Sequence, residues 1–344
     1  MAKQKKKWTK LSHEKREETK AAREKKLTEA SARLTSGVND LLQGDRWKEY
    51  LQFSLKFRQY SFFNTMLIML QHSEATCVAS FKAWKSMGRY VKKDEHGIEI
   101  FVPMFARYRR KGERQAAKEA AFEEAEKNNE PAFEEETQES LGKTLIGFKM
   151  GYVFDVSQTD GDPLPERPYA RLEGNDAGMF VVLKTAIEDL LQIPVTFSTL
   201  PPRTIGYCRY DPNQDCHPIA ITISDDPTLS GAQRLDTLAH EAGHAMLHSG
   251  MDYRLHTERS LRELEAESVA FCVLSALGFD SSQVSFGYIA SWAESGGEDT
   301  VKKIESSGQR ILEVSRRILS WIEENMGVPV ELEMAAKEEE MLAA

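Results

Sequence analysis

Two imidazoles four residues apart, His240 and His244 in the run His-Glu-Ala-Gly-His, restrict the fold more than any other feature of this 344-residue chain. On a helix, positions i and i+4 lie one above the other on the same face, so both rings can reach one metal ion. Glu241, one step round the helix, is then placed to handle the proton of a metal-activated water. Leu235, Leu238, Ala239, Ala242 and Ala245 give the stretch an apolar body, against which the histidines stand out as polar intrusions. Gly243 occupies a position where a helix former would be favoured by about 1 kcal/mol. A glycine there predicts close approach of a second backbone.

A third donor is in reach. Glu263 follows His244 by nineteen residues, on a second predicted helix over 258–277 that Gly278 would end. The spacing resembles that of zincins whose third ligand is glutamate, and three protein ligands leave a fourth position for water. The expected cofactor is one Zn2+. Glu267, one turn after Glu263, is the other candidate ligand, or a partner for the N–H of a ligand histidine. Glu265 points elsewhere on that helix. His248 continues the histidine face but lies a further turn, about 5.4 Å, along the axis, and reads as a rim or helix-end residue. Tyr253, Arg254 and His256 are candidates for transition-state donors by position. The strand predicted over 219–224 is read as a sheet edge that holds an extended peptide by strand addition.

The net charge of −9 hides strong segregation. Residues 1–26 carry eleven Lys/Arg against four Glu, and nine Glu fall between Glu119 and Glu139. The first segment reads as a charged arm, partly helical or disordered, that is either solvated or grips phosphates. The second cannot bury a core and reads as an insertion between strands. Four scattered cysteines without a C-x-x-C pair argue against a disulfide framework and for a reducing cytoplasm. No apolar run approaches the roughly 20 residues that cross a bilayer, so no membrane partner is expected.

Between these segments, helices are predicted near 41–57 and over 61–71, the latter capped by Ser61. A short helix from Phe81 and a hairpin with strands at 90–91 and 98–105 come next. From Phe81 to Gln115, ten Lys/Arg stand against four acids, interleaved with Phe81, Trp84, Tyr90, Phe101, Phe105 and Tyr108. Cationic grooves with stacking aromatics are what single-stranded nucleic acid requires. The candidate contacts are Lys82, Trp84, Lys85, Arg89, Lys92, Lys93, Arg107, Arg109 and Arg110. The competing assignment places Trp84, Phe101 and Phe105 in the core and leaves the bases as a solvated face.

The segment from YSFFNTMLIMLQ to IEIFVPMF resembles the N-terminal, single-stranded-DNA-binding domain of ArdC-type antirestriction proteins. TLAHEAGHAMLH with RELEAESVAFCVLSALGF resembles their C-terminal metallopeptidase domain, of the ImmA/IrrE-like zincins. The resemblance implies an α+β chain with an N-terminal α/β single-stranded-DNA-binding domain and a C-terminal zincin-like domain. The expected layout is a basic arm over 1–36, the DNA-binding domain over 37–157 with acidic insertion 112–140, the metallopeptidase over 168–328 and an acidic tail over 329–344. It implies zinc on His240, His244 and Glu263, Glu241 as catalytic base, an association with mobile elements, and two partners, single-stranded DNA and a protein or peptide substrate. Two other functions fit the residues: a non-catalytic DNA-binding antirestriction protein with a structural metal, and an ImmA-like repressor-cleaving protease without a DNA role.

Overall fold

Serine starts three of the helices. Ser61, Ser80 and Ser230 each accept a hydrogen bond from the backbone N–H three residues on, at 3.3, 3.2 and 3.1 Å, satisfying a donor that a helix start leaves orphaned. A computed structural model describes residues 13–41, 45–107, 143–164, 176–279 and 298–327. The helices are α1 (His13–Leu41), α2 (Arg46–Leu55), α3 (Phe62–Gln71), α4 (Phe81–Ser86), α5 (Asp176–Leu191), α6 (Gly231–Leu247), α7 (Met251–His256), α8 (Arg259–Ala276) and α9 (Glu298–Met326). The strands are β1 (Val78–Ser80), β2 (Arg89–Val91), β3 (Ile98–Arg107), β4 (Lys143–Asp155), β5 (Thr159–Gly161), β6 (Val195–Ser198), β7 (Gly206–Asp211) and β8 (His217–Ser224). The architecture is α+β. Among the described residues no helix is long and apolar enough to cross a membrane, and all four cysteines are free thiols.

The basic arm differs from its expected limit. A break at Gly37 was the natural place to end it, yet α1 runs straight through. Ala30, Leu34, Val38 and Leu41 lie on one helical face and are buried. A Cβ on Gly37 would come within 2.8 Å of Leu70 on α3, so this glycine serves a close crossing of two helices and not a break. Two bases of the arm are engaged within the protein. Arg33 donates to Glu99 at 2.6 Å, and the Lys26 ammonium donates to the Tyr152 hydroxyl at 2.6 Å. The charge-dense residues 1–12 lie outside the described residues.

The expected hairpin does not form. β3 pairs antiparallel with β4 along its whole length, from Ile98 opposite Val153 to Arg107 opposite Lys143, with a bulge at Met104/Phe105. The short β2 pairs with β5 instead. A ten-residue strand gains far more ladder from β4 than from a three-residue neighbour across a polar turn. The sheet order is β1-β4-β3, which leaves β3 at an edge, where Pro103 can be accommodated. The acidic segment joining the ends of β3 and β4 lies outside the described residues.

Asp155, at the end of β4, is buried and accepts backbone N–H bonds from Thr76, Cys77 and Ser157 at 2.8, 3.0 and 3.0 Å. Burial works against its charge, but the bonds from Cys77, Ser157 and Thr76 win and hold its pKa below the usual 3.8. A depressed carboxylate stabilises the fold at pH above its unfolded value and loses that contribution as pH falls through the folded one. The expected result is that Asp155→Asn costs about 1.5–3 kcal/mol at pH 7. The deficit should shrink below about pH 4, as measured by urea unfolding at several pH values.

The helices on either side of the expected boundary at 158–167 share one core. Trp47, Tyr50, Leu51 and Phe62 from α2 and α3 sit in the same buried cluster as Val269, Phe271, Ile311 and Ile318 from α8 and α9. Polar ties cross the same seam. The Trp47 indole N–H donates to Ser268 at 3.0 Å, and the Phe62 backbone N–H donates to Gln309 at 3.1 Å. A smaller cluster around Phe57, Ile68, Ile100 and Val153 seats β3 and β4 on α3. The second sheet, β6-β8-β7, backs α6.

Candidate metal centre

α6 and α8 meet where Gly243 leaves room. A Cβ there would lie 2.9 Å from the Ala266 Cα and 3.0 Å from its carbonyl oxygen, so the two backbones touch at the level of the histidines, as the glycine predicted. This contact sets the side chains of one helix against those of the other. The Glu263 Oε2 lies 3.4 Å from Nε2 of His240 and 3.4 Å from Nε2 of His244. One donor atom from each of the three lies within 4.8 Å of the others, the one such His/Cys/Asp/Glu grouping among the described residues. Donors about 2.1 Å from a tetrahedral ion stand roughly 3.4 Å apart, so the spacing fits a divalent metal.

The alternative assignment of Glu267 meets a different geometry. Its Oε2 lies 3.1 Å from Nδ1 of His240, the ring nitrogen away from Glu263. An acceptor there places an N–H on Nδ1, so a neutral His240 would keep its lone pair on Nε2, the nitrogen beside Glu263. The second oxygen of Glu263 accepts from Arg259 Nε at 3.3 Å.

The charges are strongly coupled. Burial opposes a proton on His240, but hydrogen bonds to Glu263 and Glu267 and the charge of Glu241 raise its pKa to about 10. His244 is lowered to about 3, first by burial and then by the charge of His240. The hydrogen bond from His240 pulls Glu263 down to about 2. One proton satisfies one imidazole here, whereas a dication would satisfy all three donors at once.

Glu241 is half-buried on α6. Burial raises its pKa, against the charge of His240 and a hydrogen bond from the Cys208 backbone N–H, with the charge of Glu263 adding to the rise. That N–H belongs to β7, an edge strand of the β6-β8-β7 sheet. Residues 206, 208 and 210 share the strand face towards α6. Gly206 lies against Thr237, and the Tyr210 hydroxyl donates to the His244 carbonyl at 2.8 Å. The edge beside the site is therefore β7. The strand over 219–224, expected at the edge, is the central β8, flanked by β6 in parallel and β7 antiparallel. Its nearly continuous burial is that of a strand covered on both sides.

His248 ends α6 as its C-cap, as expected, but it is no rim residue, since it is completely buried and its Nδ1 lies 2.8 Å from Nδ1 of His244. Its Nε2 lies 2.9 Å from Glu265, which is also completely buried. Glu265 does point away from the histidine pair, but into the core. The signal available was a third histidine at i+8 facing a helix with carboxylates at 263, 265 and 267. Tyr253 donates to Glu265 at 2.8 Å and so lies behind the site. The Arg254 guanidinium lies 4.0 Å over the Tyr210 ring. The His256 side chain is outside the described residues.

The proposed nucleic-acid contacts separate into four groups. Trp84 is completely buried and its indole N–H donates to the Phe154 carbonyl at 2.8 Å, so it is a core residue and no stacking platform. Arg89 has its guanidinium occupied by Thr159, at 2.8 and 3.0 Å, and by the Asp162 carbonyl, bracing β2 against β5. Lys82, Lys85, Lys92 and Lys93 are exposed, with Lys92 reaching the Ser157 carbonyl at 2.8 Å. Arg109 and Arg110 lie outside the described residues, as does the side chain of Arg107. The exposed aromatics are Phe81 (56%) and Tyr90 (57%) on α4 and β2, which pack together, and Phe105 further along β3. Phe105, held back as a core candidate, faces solvent.

A mixed helix and strand chain with a candidate two-histidine, one-glutamate metal centre is the class these features define. Residues 20–154 match the family model for the N-terminal domain of anti-restriction factor ArdC. An uncharacterized protein of Bacillus anthracis is 26% identical over 339 residues, covering 94% of this chain and 54% of the relative. The chain thus spans about half the length of that relative. Among solved structures, the metal-free antirestriction protein ArdC of plasmid R388 is 20% identical with TM-score 0.43, over 76% of this chain and 85% of that one. Its Mn(II)-bound form is 19% identical with TM-score 0.44, over 79% and 97%. The family match ends within β4, so the metal centre lies beyond it.

Proposed function

We propose that this chain is an ArdC-like antirestriction protein that binds single-stranded DNA through its N-terminal half and hydrolyses peptide bonds at the centre built on α6 and α8. The observation that carries the reading is the convergence of His240, His244 and Glu263 at 3.4 Å spacing beside a carboxylate, Glu241, tied to an edge strand. Two nitrogens and one oxygen suit zinc. A divalent ion held there supplies Lewis acidity, making water a stronger acid and polarising a carbonyl. Glu241 takes the proton from the attacking water on its carboxylate and returns it to the leaving amine. The Cys208 N–H keeps the carboxylate turned to the edge, and the free side of β7 takes an extended peptide as an added strand. For DNA, Phe81 and Tyr90 offer ring faces to bases, with Lys82, Lys85, Lys92 and Lys93 for phosphates.

The test is Glu241→Gln in the full chain, assayed for metal content, single-strand binding at two salt concentrations, and hydrolysis of denatured casein. Metal and DNA binding should persist, and hydrolysis should fall by about 10²–10⁴-fold. Wild-type protein that binds zinc but cleaves nothing would sink the peptidase reading. Affinity for single strands that is absent, or indifferent to salt, would remove the DNA role. Manganese in place of zinc on the purified protein would overturn the choice of metal alone.

A further inference from the structure

The two ligand imidazoles are held from behind in different ways. His240 meets a carboxylate directly, Glu267. His244 meets another imidazole, His248, which in turn meets Glu265. The geometry points to His248 and Glu265 as positioning residues that fix the tautomer of His244, so that its Nε2 lone pair faces the metal position. This inference rests on the metal-binding half of the proposed function.

The argument runs through donors and acceptors. Glu265 accepts three contacts: His248 Nε2 at 2.9 Å and the Tyr253 hydroxyl at 2.8 Å on one oxygen, and Arg310 at 3.3 Å on the other. Arg310 is a permanent cation and can only donate, so it holds Glu265 as an ionised acceptor. With that charge already balanced, a completely buried His248 is the neutral imidazole. Its Nε2 therefore carries the N–H that Glu265 accepts, and its Nδ1 carries the lone pair. A lone pair facing Nδ1 of His244 at 2.8 Å requires an N–H there. His244 is then left with its lone pair on Nε2, the atom 3.4 Å from Glu263. The frame is rigid: Tyr253 stacks on His248 with rings 3° from parallel, and Arg310 lies 4.2 Å over the Tyr253 ring.

Glu265→Gln makes the inference testable because it changes donors and almost nothing of the shape. Arg310 cannot accept, so the glutamine oxygen must face it, and the amide N–H2 then faces His248 and Tyr253. His248 Nε2 must now accept, its Nδ1 must donate, and His244 is driven to carry its proton on Nε2. The readout is the tautomer of His244 in 15N-histidine-labelled, metal-free protein, resolved among eight histidines, with Zn2+ affinity by chelator competition. Wild type should show N–H on Nδ1 of His244. Glu265→Gln should move it to Nε2 and weaken Zn2+ binding by about 10–100-fold. His248→Leu removes the relay without imposing the wrong tautomer, so it should weaken binding less, and the double variant should recover to its level. A purely structural role would make the double variant weaker than either single one, and that result overturns the inference. So does an Nε2–H tautomer in wild type, which needs no variant to fold. If wild-type protein takes up no Zn2+, the metal reading fails by itself, while the tautomers still decide the relay.

Discussion

Replacing Glu263 by Ala is expected to abolish tight metal binding and, with it, the stabilisation that the metal gives the fold. A four-ligand zinc site is worth about 10–16 kcal/mol, so one protein ligand carries roughly 3–4 kcal/mol, on the order of 10²–10³-fold in affinity. In wild type, free zinc at 100 times its Kd should raise stability by about 2.7 kcal/mol. Glu263→Ala should keep at most about 0.4 kcal/mol of that gain at the same concentration. Glu267→Ala gives the contrast. It touches Nδ1 of His240 and lies on the far side of that ring, so it should keep metal binding and weaken it by about 10–100-fold. Thermal melts with and without zinc separate the two. A Glu263→Ala protein that keeps the full zinc shift, with Glu267→Ala losing it, would reverse the assignment.

The second large effect is expected far from the metal, at Phe62. Its ring is buried, pairs with Tyr50 at 4.9 Å, and lies against Gly308 of α9 so closely that a Cβ there would come within 2.2 Å of it. Phe62→Ala should cost about 3–5 kcal/mol, a large share of the 5–15 kcal/mol typical of a folded protein. Because α2, α3, α8 and α9 share one core, the loss should lower a single unfolding transition. Indole fluorescence and far-ultraviolet circular dichroism should shift together, and the zinc-induced gain should ride on the same transition. A second transition left at its wild-type position would show that the N-terminal helices melt independently of the metal helices.

The candidate metal centre was largely legible in the chain. Its chemistry rests on helical spacing, which puts His240 and His244 on one face whatever surrounds them. Gly243 announced the second helix because a glycine in mid-helix is disfavoured unless something occupies the space of its side chain. Spacing favoured Glu263 over Glu267 but left both open, since two carboxylates a turn apart share a helix face. Only the depth at which α8 crosses α6 sets one against Nε2 and the other against Nδ1. The burial of His248 and Glu265 was not legible for a related reason. Polar side chains on helices are usually solvated, and the burial of these two depends on Tyr253 and Arg310 arriving from other elements.

The nucleic-acid face was read least well. Composition marks a basic, aromatic stretch but says nothing of which side of a two-layer structure each residue takes. Trp84 went to the core and Phe105 to solvent, and Arg89 was spent on β5, a strand seventy residues away. Strand pairing failed in the same way for β2, because pairing depends on partners distant in the chain.

By itself the sequence determined what local periodicity can determine: the helices and their serine caps, the paired histidines with Glu241 between them, and the need for a third donor on a neighbouring helix. The tertiary structure alone decided that Glu263 meets Nε2 of both histidines while Glu267 meets Nδ1 of one, which strand lies at the edge beside Glu241, and that the first and last helices share one core. Those outcomes are contacts between segments that, for the first and last helices, lie more than 250 residues apart. Their geometry is set by packing, which no local pattern encodes.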